Sequence, residues 1–199
     1  MIKINLFDLS ETVIAGLVGI EKLLSLRIGV DEERILAAFG GKLLSRLCRG
    51  ELTEDRYLAL ILEQQSWRIP AEELKRIIRC NFHKPVPGMW ELLRGLASHY
   101  ELALLSDHAR EWVATIQDVH PGLAIFQRQF YSFEFGQLKS EPAVFQRVLA
   151  ELDCPAADCL FVDGNPSNLK AAEKVGLSGI CFTTAQRLKV ELTEWGVEV

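Results

Sequence analysis

Four side chains stand where apolar runs stop. Asp8 follows Ile2-Lys3-Ile4-Asn5-Leu6-Phe7, Ser106 follows Leu102-Ala103-Leu104-Leu105, Asp163 follows Leu160-Phe161-Val162, and Lys139 comes just after Gly136. A carboxylate, a hydroxyl, an ammonium and a second carboxylate suit acyl-phosphate chemistry. Asp8 would attack phosphorus as the nucleophile. Ser106 and free backbone N–H groups would hold phosphate oxygens, and Lys139 would neutralise charge on the nucleophile and the transferring group. Asp8 and Asp163 also offer the hard oxygen ligands that Mg²⁺ takes. Singly, an Asp or Ser after a strand is most often a turn or cap residue, and a lone lysine is most often solvated. What joins these four is their shared place at element ends.

Such residues converge only if the elements before them are parallel strands, because open α/β sheets keep their sites just past the strands' carboxyl ends. The pattern predicts a first strand ending at Asp8 and a strand over Glu101–Leu105 ending at Ser106. It predicts further strands over Phe130–Phe135, over Cys159–Val162 ending at Asp163, and over Gly179–Phe182. Helical patterns fall between them, at Met89–His99, Glu111–Val119, Ala143–Leu152, Asn168–Val175 and Leu188–Trp195. That alternation predicts a parallel sheet with helices on both faces. From Ile14 to Pro85 the apolar spacing is helical throughout, with Asp31 and Thr53 as candidate caps and Pro70 before the acidic pair Glu72-Glu73. The expected organisation is therefore a core made of 1–13 and 86–199, with an α-helical cap over 14–85. Gly40-Gly41 and the linkers near Val13 and Pro85 are candidate hinges for cap opening.

The bulk numbers narrow the class. A chain of 199 residues holds one compact domain, or a core with a modest insertion. Hydrophobic content of 49% and charged content of 25% are those of a soluble globular protein. A net charge of −5 argues against a nucleic-acid partner. No apolar run approaches the ~20 residues needed to span a bilayer, so no membrane partner is expected, and no targeting segment is read at the N-terminus. Cys48, Cys80, Cys154, Cys159 and Cys181 form no spacing framework and read as free thiols in a reducing cytoplasm. Residues 14–85 hold 12 Lys/Arg against 10 Asp/Glu, and the remainder 10 against 17. Either a mildly basic cap helps draw in an anionic small molecule, or this is scatter in surface charge.

The motifs, taken in order, resemble those of the haloacid dehalogenase (HAD) superfamily over nearly the whole chain. Asp8-Leu9-Ser10-Glu11-Thr12 is similar to the first motif, and Leu102 through Asp107 to the second. Lys139-Ser140-Glu141-Pro142 with Val144-Phe145 resembles the third, and Leu160 through Asn168 with Ala171-Ala172 the fourth. Pro87-Gly88 followed by Leu92-Leu93 resembles the usual return from a helical cap, and the cap's place suggests the small α-helical cap subclass. The resemblance implies an α/β fold, a Rossmann-like parallel-sheet core of the HAD type with an inserted α-helical cap. It implies a phosphatase-type hydrolase of a small phosphorylated metabolite, acting through an aspartyl-phosphate on Asp8. By the same resemblance Thr12, Ser106 and Lys139 hold the phosphate, while Asp8, the Ser10 backbone carbonyl and Asp163 hold Mg²⁺. Asp8, Ser10 and Lys139 are the catalytic positions.

The departures are as informative as the matches. Ser10 stands where the family's general acid is an Asp, and its hydroxyl cannot act as an acid near neutral pH. General acid–base help is worth ~10²–10⁴-fold, so alkoxide leaving groups would suffer most and aryl or acyl phosphates least. Gly164 replaces a usual acid, which should weaken Mg²⁺ binding. Asp107 stands where Asn is common and would repel a phosphate unless paired or turned away. Glu11 either faces solvent or substitutes for the missing acid. His108 either supplies the missing proton transfer or is a loop histidine at a helix start. Two other functions stay open. One is a catalytically impaired or non-catalytic HAD-fold binding protein, favoured by the absence of acids at Ser10 and Gly164. The other is a metal-free dehalogenase-like hydrolase, suggested by Asn165. Against it, Ser10 is not the aromatic residue expected there, and the cap shows no clear arginine site for a substrate carboxylate.

Overall fold

The computed structural model describes residues 2–199, so Met1, assigned above to the core, lies outside the described residues. Five parallel strands form one sheet: β1 (Ile4–Phe7), β2 (Glu101–Ser106), β3 (Arg128–Tyr131), β4 (Cys159–Asp163) and β5 (Ser178–Cys181), in the order β3-β2-β1-β4-β5. β1 is central and wholly buried, with Phe7 in register with Leu104 on one side and Val162 on the other. Its alternating side chains serve two cores. Ile4 and Leu6 join Ala103, Leu105, Phe145 and Phe161 on one face, and Phe7 joins Leu102, Leu104, Leu160 and Val162 on the other. A strand covered on both faces reads as a near-continuous apolar run, which is why these strands are legible as such.

Between β1 and β2 come the helices α1 (Ile20–Ile28), α2 (Glu32–Phe39), α3 (Gly41–Cys48), α4 (Glu54–Gln65), α5 (Ala71–Asn81) and α6 (Met89–Leu96). After β2 the chain continues through α7 (Arg110–Val119), α8 (Ser132–Phe135), α9 (Pro142–Glu151), α10 (Pro166–Glu173) and α11 (Ala185–Glu194). Thr53 caps α4 by accepting from the Arg56 N–H at 3.3 Å, whereas Asp31 precedes α2 without a side-chain cap bond. The last helix starts at Ala185 rather than Leu188 because Thr184 accepts from the Arg187 N–H at 3.2 Å. Among the described residues, no helix is long and apolar enough to cross a membrane.

One expected strand is shorter than its apolar pattern. β3 stops at Tyr131, and Ser132–Phe135 turns as α8 instead of extending the sheet to Phe135. The Tyr131 N–H donates to Glu134 Oε2 at 3.2 Å and Ser132 Oγ donates to the Cys48 carbonyl at 2.6 Å. Side chains bonding locally to backbone turn the chain out of the ladder, and Gly136 closes the turn in the left-handed conformation at φ 65°.

The helices between Val13 and Val86 are tied to the sheet layer at several places. The two linkers run side by side, with the Val86 N–H on the Val13 carbonyl at 2.9 Å and the Ala15 N–H on the Lys84 carbonyl at 2.8 Å. Trp112 Nε1 of α7 donates to Glu54 Oε1 of α4 at 2.8 Å, and the buried Glu54 carboxylate also pairs with Arg79 of α5. Arg49, just past α3, donates to the Gly136 carbonyl at 2.8 Å and to Glu141 Oε1 at 2.6 Å.

β5 packs tightly beneath α10 at Gly179. A Cβ there would lie 2.7 Å from Leu169 Cδ2 and 3.0 Å from the Phe161 carbonyl oxygen. Forced overpacking of this kind costs about 1–3 kcal/mol. Gly179→Ala is therefore expected to lower the unfolding free energy by that amount, read from the urea midpoint at unchanged slope.

Candidate active site

β1 and β4 are neighbours, so their terminal carboxylates face one another at the same sheet edge. The Asp8 N–H still reaches across the ladder to the Val162 carbonyl at 2.9 Å, which fixes the backbone that carries the carboxylate. Lys139 arrives from the loop between α8 and α9 and bridges the two acids. Its Nζ pairs with Asp8 Oδ1 and lies 2.7 Å from Asp163 Oδ2. All three groups are buried.

Each member is further held. Thr12 Oγ1 donates to Asp8 Oδ2 at 3.3 Å. Asp163 accepts from the Asn165 N–H at 2.6 Å and from Asn168 Nδ2 at 2.9 Å. The Lys139 backbone N–H donates to both Asp107 oxygens, at 3.0 and 3.2 Å. The acid that follows Ser106 is thus paired, and its charge fixes the lysine loop. Glu141 Oε1 accepts from the Leu138 N–H at 2.9 Å and from Arg49, so the loop is clamped on both sides of Lys139. Ser106 Oγ is fully buried and has no hydrogen-bond partner among the described residues, an exception to the rule that buried polar atoms are paired.

The electrostatics follow from one ammonium among several acids. Burial pushes the Asp8 carboxyl up to about 7 against the pull of Lys139, and the Asp163 charge adds to the rise. Burial opposes the Lys139 charge, but Asp8, Asp163 and Asp107 outweigh it and hold its pKa above the ordinary lysine value. Burial also raises the Asp107 carboxyl. When ionised, Asp8, Asp163 and Asp107 together carry more negative charge than one lysine offsets, and their oxygens are hard donors. The Asp8 and Asp163 carboxylate oxygens are donors of the kind Mg²⁺ takes, an ion often bound through one or two carboxylates plus substrate phosphate. Among the described residues no cluster of three His, Cys, Asp or Glu side chains forms a dedicated metal cage.

Two neighbours of the motif take definite places. Glu11 is solvent-exposed at φ 61°, and its Oε1 accepts from the Gly16 and Val18 N–H groups at 2.8 and 3.1 Å. It shapes the start of the helical region. His108 lies in the loop just before α7, as a loop histidine at a helix start would, but it is buried. It is 2% exposed, set edge-on to the Phe82 and Trp112 rings at 5.6 Å each. Its Nε2 lies 3.0 Å from Ser10 Oγ. The sequence carries no signal for this pairing beyond His108 following Ser106-Asp107. Asn165 uses its Oδ1 to cap α10, accepting from the Ser167 N–H at 2.9 Å.

A cavity of about 310 Å³ opens between the inserted helices and the sheet layer, with Leu17, Leu44, Phe82 and Trp112 on its walls. Ser10, Asp107 and Leu138 also line it. Asp107 is the residue that accepts from the Lys139 backbone N–H, so the cavity wall is tied to the lysine loop.

Burial pushes the His108 pKa from 6.5 down to about 3, and the Lys139 charge adds to the fall. The unfolded chain therefore takes up this proton below about 6.5 while the folded chain does not. The stability associated with neutral His108 is present above pH 6.5 and is lost as pH falls toward 3, by roughly 3 kcal/mol near pH 4. In chemical denaturation across that window, His108→Gln should show a shallower loss of stability than the parent. Equal slopes would contradict the buried neutral imidazole.

Comparison with known proteins bears on the family and the fold. The chain is 31% identical over 129 residues to flavin mononucleotide hydrolase 1 of Arabidopsis thaliana, a match covering 64% of this chain and 52% of that protein, so the chain spans about half the relative's length. Among solved structures it resembles a predicted HAD-like family hydrolase from Porphyromonas gingivalis, at a TM-score of 0.78 and 19% identity with both chains fully covered. It also resembles a HAD family enzyme from Bacteroides thetaiotaomicron in complex with magnesium and inorganic phosphate, at a TM-score of 0.73 and 19% identity over 93% of this chain and 96% of that one. At such identities the structural likeness speaks for the fold. Residues 2–176 match the model of the haloacid dehalogenase-like hydrolase family, and the chain belongs to that family.

Proposed function

We propose that the chain is a phosphatase-type hydrolase that takes the phosphoryl group of a small anionic metabolite onto Asp8. The observation that carries this reading is the buried trio of Asp8, Lys139 and Asp163, together with a buried Ser106 hydroxyl that has no partner among the described residues. Asp8 is the nucleophile. Lys139 holds Asp8 in place and offsets charge on the incoming phosphate. Ser106 finds in a phosphate oxygen the acceptor that the protein does not provide, and Thr12 orients Asp8. Asp8, the Ser10 carbonyl and Asp163 would hold Mg²⁺, whose charge would help offset that of the phosphate oxygens. Residues 14–85 act as the cap and 1–13 with 86–199 as the core, the cap closing over the cavity described above. The free cysteines fit a reducing cytoplasmic setting.

The competing reading, a HAD-fold binding protein without turnover, draws support from Ser10 and from Gly164. It is separated by release of phosphate from p-nitrophenyl phosphate and acetyl phosphate with and without Mg²⁺, next to Asp8→Asn. Metal-stimulated release lost by at least about 10³-fold in the variant supports nucleophilic catalysis by Asp8. Absence of release from both compounds, with no detectable Mg²⁺ binding, would leave the binding protein as the better account.

Gly164 provides a second handle. A Cβ there would meet only the Phe182 carbonyl oxygen, at 3.6 Å, an ordinary contact that leaves room for a side chain. Gly164→Asp adds an oxygen donor beside Asp163 and is expected to lower the Mg²⁺ concentration for half-maximal binding by roughly tenfold, as read by calorimetry.

A further inference from the structure

The proton supply around the cavity is sparse. Ser10 presents a hydroxyl, and that hydroxyl is engaged with His108 Nε2 at 3.0 Å. The Asp107 carboxylate is aligned on the Lys139 backbone N–H through both oxygens. Glu11 Oε1 is held by Gly16 and Val18. His108 lines the cavity too, but its ring stands edge-on to Phe82 and Trp112 and its Nε2 is taken up by Ser10. The rest of the cavity wall is mostly apolar, including Leu17, Val18, Leu44 and Leu138, and the volume is about 310 Å³. That is the low end of small-molecule sites, and its mostly apolar wall suits a small apolar leaving group.

We infer that the site selects phosphates whose leaving oxygen departs unaided as a stable anion from a small apolar body, namely aryl monophosphates and acyl phosphates. This deepens the phosphatase reading and rests on it. In the first step an Asp8 oxygen forms a bond to phosphorus, and the bond from phosphorus to the leaving oxygen breaks with its electron pair on that oxygen. The phenolate or carboxylate leaves without taking a proton from the protein. In the second step the oxygen of water joins phosphorus and Asp8 is released as carboxylate. Both protons of that water go with the phosphate, which passes one through solvent to the departed anion where it is basic enough. Alkyl phosphates are poor substrates, because an alkoxide needs a proton as it leaves. Flavin mononucleotide, a phosphate ester of a primary alcohol, falls among the poor ones.

The test is a series of aryl phosphates graded by the acidity of their phenols, with acetyl phosphate, glycerol phosphate and flavin mononucleotide beside them, all with Mg²⁺. A steep fall of kcat/KM with rising leaving-group pKa is expected, with alkyl phosphates at least about 100-fold below p-nitrophenyl phosphate. Ser10→Asp should flatten the series by raising alkyl phosphates more than aryl ones. Leu44→Asp should raise KM for aryl phosphates more than for acetyl phosphate, since only the former fill the apolar wall. A flat series in the parent protein, with turnover still lost in Asp8→Asn, would overturn this inference while leaving the phosphatase reading intact. Silence toward every compound would overturn both.

Discussion

One lysine between two buried carboxylates is the interaction on which the site depends. Charges buried at this depth persist only when paired, and removing one partner of such a set is strongly destabilising. Lys139 therefore does structural work before any chemistry. It allows β1 and β4 to end in acids side by side, which mutual repulsion would otherwise oppose. The surrounding contacts read as support for that single ammonium. Asp107 holds its backbone, Glu141 and Arg49 brace the loop on its far side, and Asn165 and Asn168 hold Asp163 opposite it.

The same arrangement explains why the helices that follow β1 matter to a site built on the sheet. Arg49 and the Cys48 carbonyl reach α8 and the lysine loop, and Glu54 reaches Trp112. The cavity walls come from both layers. The inserted helices shape the space beside the charged cluster and help set the position of the residue that neutralises it.

The strand ends were legible because a strand buried on both faces is apolar at every position, so the first charged or hydroxyl residue after it marks the sheet's edge. Asp8, Ser106 and Asp163 stand out on that ground, and Lys139 by its place in the order. What escaped the sequence arises from contacts between distant segments. The turn at Ser132 depends on a carbonyl at Cys48, and the apolar pattern through Phe135 gave no hint of it. His108 depends on rings from Phe82 and Trp112 and on Ser10, 98 positions away. Asp107 looked like a liability in the sequence because its partner is a backbone N–H, which every residue but proline carries and which no residue type announces.

The pairing of the two linkers has a consequence for how such a chain can vary. Because Val13 and Ala15 are hydrogen-bonded to Val86 and Lys84, the insertion leaves and returns at nearly one point. Its length is then almost independent of the sheet's geometry, since a longer or shorter excursion begins and ends on the same pair of strands of backbone. The constraint on exchange lies elsewhere, at the arginine and carbonyl that brace the lysine loop. A replacement segment of any size would fit the doorway, but only one that brings equivalent struts would keep the ammonium in register with the two acids.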